Sequence, residues 1–586
     1  MWKFLNSNEL AIFSQVNSPG RKFISNRKMR SLQITLAGVT ALLMAVACGK
    51  GAPAEPAGEL AVPEGVKLHG TAAETSLTFQ WNAVEGATGY DWKLSTEGEA
   101  DLAGNVASRN VTVSGLVPGT GYQFSVRAMA GTQASAWSTP VTAKTAGVRP
   151  TPGVNCVDAP LVIEVGASAS LGTSGKILVY KEGVKDAVDV IDVADMAKVQ
   201  VLEDGTCVPA QKLETVTASH TFMDELHSGS SKRVVHYTPL RLKGGKLYVS
   251  LHNNVLGFGG SYYLTMDESV VGKAIGKGEC TFTTKAAPTG TTLSVNPDGS
   301  GDFCTVQGAL TYAATLGKDT PVTNEVGEGT YPELLFLQGK NNVTIKGVSR
   351  EKSVIAYPNS ENYVVGSDNR CLFLAKGCSC LTLEKLTVEN TFYNTAHKGQ
   401  AEAVYFNAAD SGRLTIEDCA LISWQDTFLC KGEVYVHKSL IAGHCDYIWG
   451  YPKACLFEDC EIRSRAAGYI VQARVQNAAN KGFVFLNCRL TAESDVADGK
   501  MYLARSAGQA DCYDNVTYVN CAMSPVIAPV GWLGSPVPNP STPTATAGWK
   551  EYGTTGVSTT SRNAYGKTLT AAEAEPFSSR QAVLGW

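Results

Sequence analysis

The chain has 586 residues, with 50 lysines and arginines against 54 aspartates and glutamates and a formal net charge of −4. That balance excludes the basic excess of a typical nucleic-acid binder. With 18% charged residues, 44% hydrophobic residues and 58 glycines, the composition excludes a coiled coil and wholesale disorder and favours a β-rich, turn-rich protein. At roughly 150 residues per domain the length predicts about four domains. The 16 cysteines are too dilute for a disulfide scaffold and are unevenly spread.

The N-terminus reads as an address. Arg27, Lys28 and Arg30 precede an apolar run from Ile34 to Ala47. That run is too short for a bilayer crossing, which takes about 20 residues, and it ends in small residues, as a secretory signal does. The end, Ala45-Val46-Ala47-Cys48-Gly49, resembles a bacterial lipobox, with Cys48 as the lipidated residue. Met29 is expected to be the start in place of Met1. Residues 1–48 are therefore expected to be the signal and lipobox region and 49–59 a flexible tether. The expected location is the bacterial cell envelope, lipid-anchored at the outer membrane, with the membrane touched only through that anchor.

Residues 60–147 alternate apolar and polar positions between turn signals, the mark of a β-sandwich. Trp81, Tyr90 and the Leu116–Tyr122 corner make this stretch resemble a fibronectin type III domain. Val148 to Pro152 is a stiff linker. Residues 153–288 read as a second sandwich, with strands at Pro160–Val165, Lys176–Tyr180, Val188–Ile191, Tyr248–Leu251 and Tyr262–Met266. It resembles a bacterial Ig-like module. Asp186, Asp189, Asp192 and Asp195 fit no calcium-loop spacing and are expected to be solvated turn residues.

Residues 291–586 carry a repeated phrase, apolar-x-(Asp/Asn/Lys)-(Cys/small)-x-apolar. Its small residues are Cys419, Ser439, Cys460, Cys488 and Cys521, with weaker copies centred on Gly347 and Leu386. A spacing of 20 residues or slightly more, with loop insertions, is one rung of a parallel β-helix. The cysteines then form an interior column of thiols. No His/Cys set has zinc spacing, and no metal or cofactor is expected. The predicted fold class is all-β, a C-terminal parallel β-helix preceded by two β-sandwich modules.

Asp426 follows Cys419 by seven residues, and Asp446 follows Ser439 by seven. Equal offset on adjacent rungs sets the two carboxylates side by side, at a backbone spacing of about 4.8 Å. Two such carboxylates split their proton affinities, leaving one as acid and the other as anion.

These motifs identify the domain as similar to the pectin methylesterases, carbohydrate esterases with a right-handed β-helix. The family's opening appears as Asp298 to Gln307 and its Gly-x-Tyr-x-Glu as Gly329 to Glu333. Its Gly-Gln-Ala is Gly399-Gln400-Ala401, its Gln-Asp-Thr is Gln425-Asp426-Thr427, and its Asp-Phe-Ile-Phe-Gly is Asp446-Tyr447-Ile448-Trp449-Gly450. Its Leu-Gly-Arg-Pro-Trp is partly kept as Leu503 to Ala507, with Ala507 in place of the tryptophan; a late Gly531-Trp532 also fits. The resemblance implies removal of methyl esters from homogalacturonan, with pectin as the partner and the protein a monomer. It implies Asp446 as nucleophile, Asp426 as general acid and base, and Arg505 orienting the nucleophile. It also implies that Gln425 donates to the oxyanion and that Gln400 helps polarise the same site. Trp449, Tyr447, Trp424 and Trp532 are expected to bind sugar, and Trp424, Tyr469 or Trp532 to make up for Ala507. The alternatives are a noncatalytic glycan-binding surface protein and a pectate lyase, a calcium enzyme of the same fold.

Overall fold

The computed structural model describes residues 60–586, apart from 71, 73–75, 97–99, 117–119, 146–153 and 393–398. The signal and lipobox, the tether, the linker at 148–152 and the middle of the Leu116–Tyr122 corner lie outside the described residues. Among the described residues no helix is long and apolar enough to cross a membrane.

In the first module two antiparallel sheets face each other. One holds Lys67–Leu68, Ser76–Gln80 and Asn110–Ser114; the other is built on Gly89–Ser95 and Gly121–Ala130. Phe79 and Phe124 stack at 4.0 Å at its centre, with Trp81, Tyr90 and Tyr122 around them. The aromatic residues singled out in the sequence are core.

The second module is also two sheets over one core. Leu161–Glu164, Lys246–Val249 and Leu240–Lys243 form one; Lys176–Lys181 and Ser261–Met266 are central to the other. The expected strands are present within one or two residues. The solvated reading of the acidic run fails at Asp189. This residue is 6% exposed and accepts hydrogen bonds from His252 Nδ1 at 2.6 Å and His252 N at 3.0 Å. Its partner lies 63 residues away, so a local reading of the aspartates could not find it.

This module is not a detached bead. Its hairpin Met223–Ser228 and Ser231–His236 leaves the sandwich, and Leu226 and Val235 join the apolar core of the C-terminal domain. Arg233, 4% exposed, donates from Nη1 to Leu335 O at 2.7 Å and Leu372 O at 3.2 Å, and from Nη2 to Asn369 O at 2.9 Å and Cys371 O at 2.5 Å. Asp158 reaches the same domain at helix Val306–Ala313, where its Oδ2 accepts from Thr305 N at 2.7 Å and Thr305 Oγ1 at 2.6 Å. Glu333, from the Gly329–Glu333 word, accepts from Val306 N at 2.7 Å and Gln307 N at 2.8 Å. Orphan N–H groups at a helix start attract such carboxylates. Burial pushes Glu333 up to about 8.

The C-terminal domain is a parallel coil. Each turn contributes strands to two long parallel sheets of 16 and 8 strands, and all their pairings are parallel. The long strands Phe428–His437 and Ile448–Glu458 each supply two faces of the coil, bent at a register shift between Gly432 and Glu433. Inside, Phe457, Phe485 and Tyr518 stack on successive turns at 4.7 and 4.5 Å.

The repeated phrase is a corner. Its Asp/Asn/Lys position holds Lys385, Asp418, Lys438, Asp459, Asn487 and Asn520, all at φ between 47° and 54°. Asp and Asn tolerate this left-handed region better than most residues. The next residue turns inward: Leu386, Cys419, Ser439, Cys460, Cys488 and Cys521 are all at most 1% exposed. Each thiol or hydroxyl donates to the carbonyl two residues back, Cys460 Sγ to Glu458 O at 3.2 Å and Ser439 Oγ to His437 O at 2.8 Å. Gly347 departs from the predicted column. Lys346 pairs with Glu384, so Gly347 sits level with the corner Lys385, one position short. A Cβ there would lie 2.2 Å from Lys385 O. Because Ser439 already makes the column contact, Cys460→Ser should cost under about 1.5 kcal/mol in chemical denaturation. Cys460→Leu, which overfills the corner, should cost about 3 kcal/mol.

Candidate active site

A second line of left-handed corners carries the aspartates, Asp426 at φ 65° and Asp446 at φ 47°. Parallel bridges join Gln400 to Gln425 and Gln425 to Cys445, so residues 400, 425 and 445 stack on three turns. Asp426 N donates to Cys445 O at 3.1 Å and Asp446 N to Tyr469 O at 2.9 Å. The predicted register is therefore present: the aspartates are neighbours one turn apart, each 3% exposed.

Their surroundings differ. Asp446 lies against Arg505, whose Nε is 2.8 Å from Oδ1 and 3.0 Å from Oδ2 and whose Nη2 also bonds Oδ2. Gln472 Nε2 donates to Oδ2 at 3.0 Å, and its Oε1 accepts from Arg474 Nε at 2.9 Å. Asp426 accepts instead from Arg370 Nη2, at 3.3 Å. Burial holds the Asp426 carboxyl well above the usual carboxylate range, and the charges of Glu402 and Asp446 push the same way against Arg370. One carboxyl is set up to carry a proton; the other is gripped by a guanidinium.

Gln425 and Gln400 are half-buried beside the pair, and Gln400 Oε1 accepts from Arg370 Nη1 at 2.7 Å. Cys445 is half-buried next to the nucleophile candidate, its thiol pushed up to about 12 by burial and by Asp446.

The aromatic expectations need correction in two places. Tyr447 is fully buried, its hydroxyl 3.1 Å from Ser464 Oγ inside the coil. The left-handed corner at Asp446 turns the following side chain inward, as Cys419 is turned after Asp418. Trp532 is 1% exposed and stacks on Trp549 at 5.5 Å, closing the end of the core. Neither faces the aspartates from outside. Trp449 is 6% exposed, with the Arg474 guanidinium 4.8 Å above its ring. Trp424 is half-buried and stacks on His444 at 5.0 Å, and Tyr469 lies under Arg505 at 5.1 Å. Ala507 is half-buried two residues beyond Arg505.

Sequence reasoning missed Arg370, Glu402 and Gln472. A signal existed for two of them. Glu402 interrupts the apolar word Ala401-Glu402-Ala403-Val404, and Gln472 interrupts Ile470-Val471-Gln472-Ala473.

A family model described as Pectinesterase matches residues 292–585, half of the chain, and one described as Fibronectin type III domain matches 61–144. Pectinesterase 31 of Arabidopsis thaliana is 31% identical over 248 residues, covering 41% of this chain and 76% of that protein. Pectinesterase QRT1 of the same plant is 27% identical over 317 residues, covering 50% and 77%. Among solved structures, the pectin methylesterase PemA from Erwinia chrysanthemi aligns at 22% identity and a TM-score of 0.43, covering 51% of this chain and 98% of that one. The chain is a carboxylic ester hydrolase. It belongs to the pectinesterase family, with a fibronectin type III domain ahead of its β-helix.

Proposed function

We propose that this enzyme removes methyl esters from homogalacturonan through the two corner aspartates, releasing methanol and leaving pectate. The observation that carries the reading is the contrast across one turn of the coil: Asp446 gripped by Arg505, and Asp426 held in its protonated range. The Asp446 carboxylate attacks the ester carbonyl carbon, and the negative charge passes to the carbonyl oxygen. Gln425 and Gln400 amide N–H groups offer hydrogen bonds to that oxygen. The carbon–methoxy bond breaks as Asp426 gives its proton to the departing methanol, leaving an acyl anhydride on Asp446. Asp426, now ionised, takes a proton from water, which attacks the acyl carbon and frees Asp446. Arg505 orients Asp446 and is the fixed cation that the regenerated carboxylate meets at the end of the cycle.

The test is methanol release from methylated pectin. Wild-type protein should release methanol and form no unsaturated product absorbing in the ultraviolet. Such a product would favour a lyase instead, and glycan retention without turnover a binding protein. The basic, apolar and small-residue order of 27–48 also supports export and lipidation at Cys48 in the bacterial envelope, and we take the enzyme to work as a monomer. Labelled palmitate should enter the wild-type protein and not Cys48→Ser.

A further inference from the structure

Asp426 is touched by a group to which the reaction above gives no part. Arg370 is 7% exposed and its guanidinium is fully engaged. Nε and Nη2 donate to Glu402 at 3.0 and 2.7 Å, Nη1 donates to Gln400 Oε1 at 2.7 Å and Glu361 Oε2 at 3.0 Å, and Nη2 reaches Asp426 Oδ2 at 3.3 Å. Glu402 is fully buried between Ala401 and Ala403, themselves fully buried. An unpaired carboxylate there would be strongly unfavourable, and a paired one is no better for stability than an apolar side chain. The pair therefore needs a reason other than stability.

Two geometric consequences supply one. Because Gln400 Oε1 is occupied by Arg370, its amide nitrogen is the end left for the substrate oxygen. Because Nη2 bonds Glu402 and Asp426 together, the Asp426 carboxyl has a fixed direction. The brace extends further. Arg233, from the second module, holds the carbonyls of Asn369 and Cys371 on either side of Arg370.

We propose that Arg370, anchored by Glu402, is a positioning residue that sets which face the Gln400 amide presents and aims Asp426 at the leaving methanol. The proposal rests on the aspartate reaction above.

The charged and titratable groups facing Asp426 are Glu402, Arg370, Asp446, Arg474 and the Cys445 thiol, with Glu361 behind Arg370 and Arg505 behind Asp446. Removing the Glu402 charge takes away a push toward protonation and frees Arg370 to turn wholly to Asp426. Both changes lower the proton affinity of Asp426. A general acid works while protonated, so activity is lost as pH rises through its pKa. In Glu402→Gln the alkaline limb of kcat should therefore move to lower pH, by about one unit. In Arg370→Ala, kcat should fall about 100-fold with KM within about threefold, and added guanidinium ion should restore at least about tenfold. A purely structural role predicts neither the shift nor the rescue.

An alkaline limb unmoved in folded Glu402→Gln overturns the proposal. If circular dichroism shows that variant unfolded, Arg370→Ala decides: absence of guanidinium rescue overturns it. Asp426→Asn and Asp446→Asn are assayed alongside. Wild-type methanol release from those two would defeat the aspartate reaction itself. Their inactivity with an unmoved Glu402→Gln profile would defeat the Arg370 role alone.

Discussion

Asp446→Asn should release methanol at least about 10⁴-fold more slowly than wild type, with its melting temperature nearly unchanged. The rate argument is chemical. An amide oxygen is a poor nucleophile, and removing one member of a covalent catalytic unit costs most of what the whole unit supplies. The stability argument is conformational. Position 446 sits at φ 47°, a region asparagine occupies readily, whereas alanine would add about 1 kcal/mol of backbone strain. Arg505 loses its anionic partner, but its side chain is 31% exposed and can turn to water. Asp446→Ala should thus be equally inactive and measurably less stable. Substantial methanol release by Asp446→Asn would show that the acyl carbon is attacked by something else.

The second large effect falls on stability. Arg233→Ala should lower stability by about 3 kcal/mol, read as the denaturation midpoint of the β-helix transition. The guanidinium is nearly inaccessible and serves the carbonyls of Leu335, Asn369, Cys371 and Leu372. Its loss leaves buried acceptors short of a donor and opens a cavity. Arg233→Lys should recover only part of this, since an ammonium cannot span four acceptors with planar geometry. Methanol release should fall as well, because the same carbonyls flank Arg370. Full activity and stability in Arg233→Ala would mean that the hairpin merely rests on the coil.

These two residues mark how far the sequence could be read. The placing of Asp446 beside Asp426 was legible because a coil repeats its backbone, so equal offsets from Ser439 and Cys419 become spatial adjacency. The corner logic also has a sign that the sequence hides. The residue after a left-handed corner of the coil turns inward, so Tyr447, though part of a motif word, went to the core. Arg233 left no trace, since every residue has a carbonyl and none of its four acceptors depends on side-chain type. Arg370 and Glu402 lie 32 positions apart, on no shared motif. Only the oddity of a glutamate between alanines pointed to them. The second module was legible as a sandwich, but not as a contributor to the neighbouring core.

The two aspartates hang on backbone corners of consecutive turns, and this makes their spacing stepwise. The backbone spacing between the two corners is one step of the coil, and packing changes can only re-aim the side chains. Residues 427–445 close one circuit. Adding or deleting a single residue within a strand of that circuit, without a bulge like the one between Gly432 and Glu433 to absorb it, would carry Asp446 to the opposite face and should end methanol release. Loops elsewhere in the coil can lengthen freely, as the unequal repeats already do. Divergence in this architecture should thus leave the aspartates either in register or lost, with variation in substrate preference confined to what surrounds them.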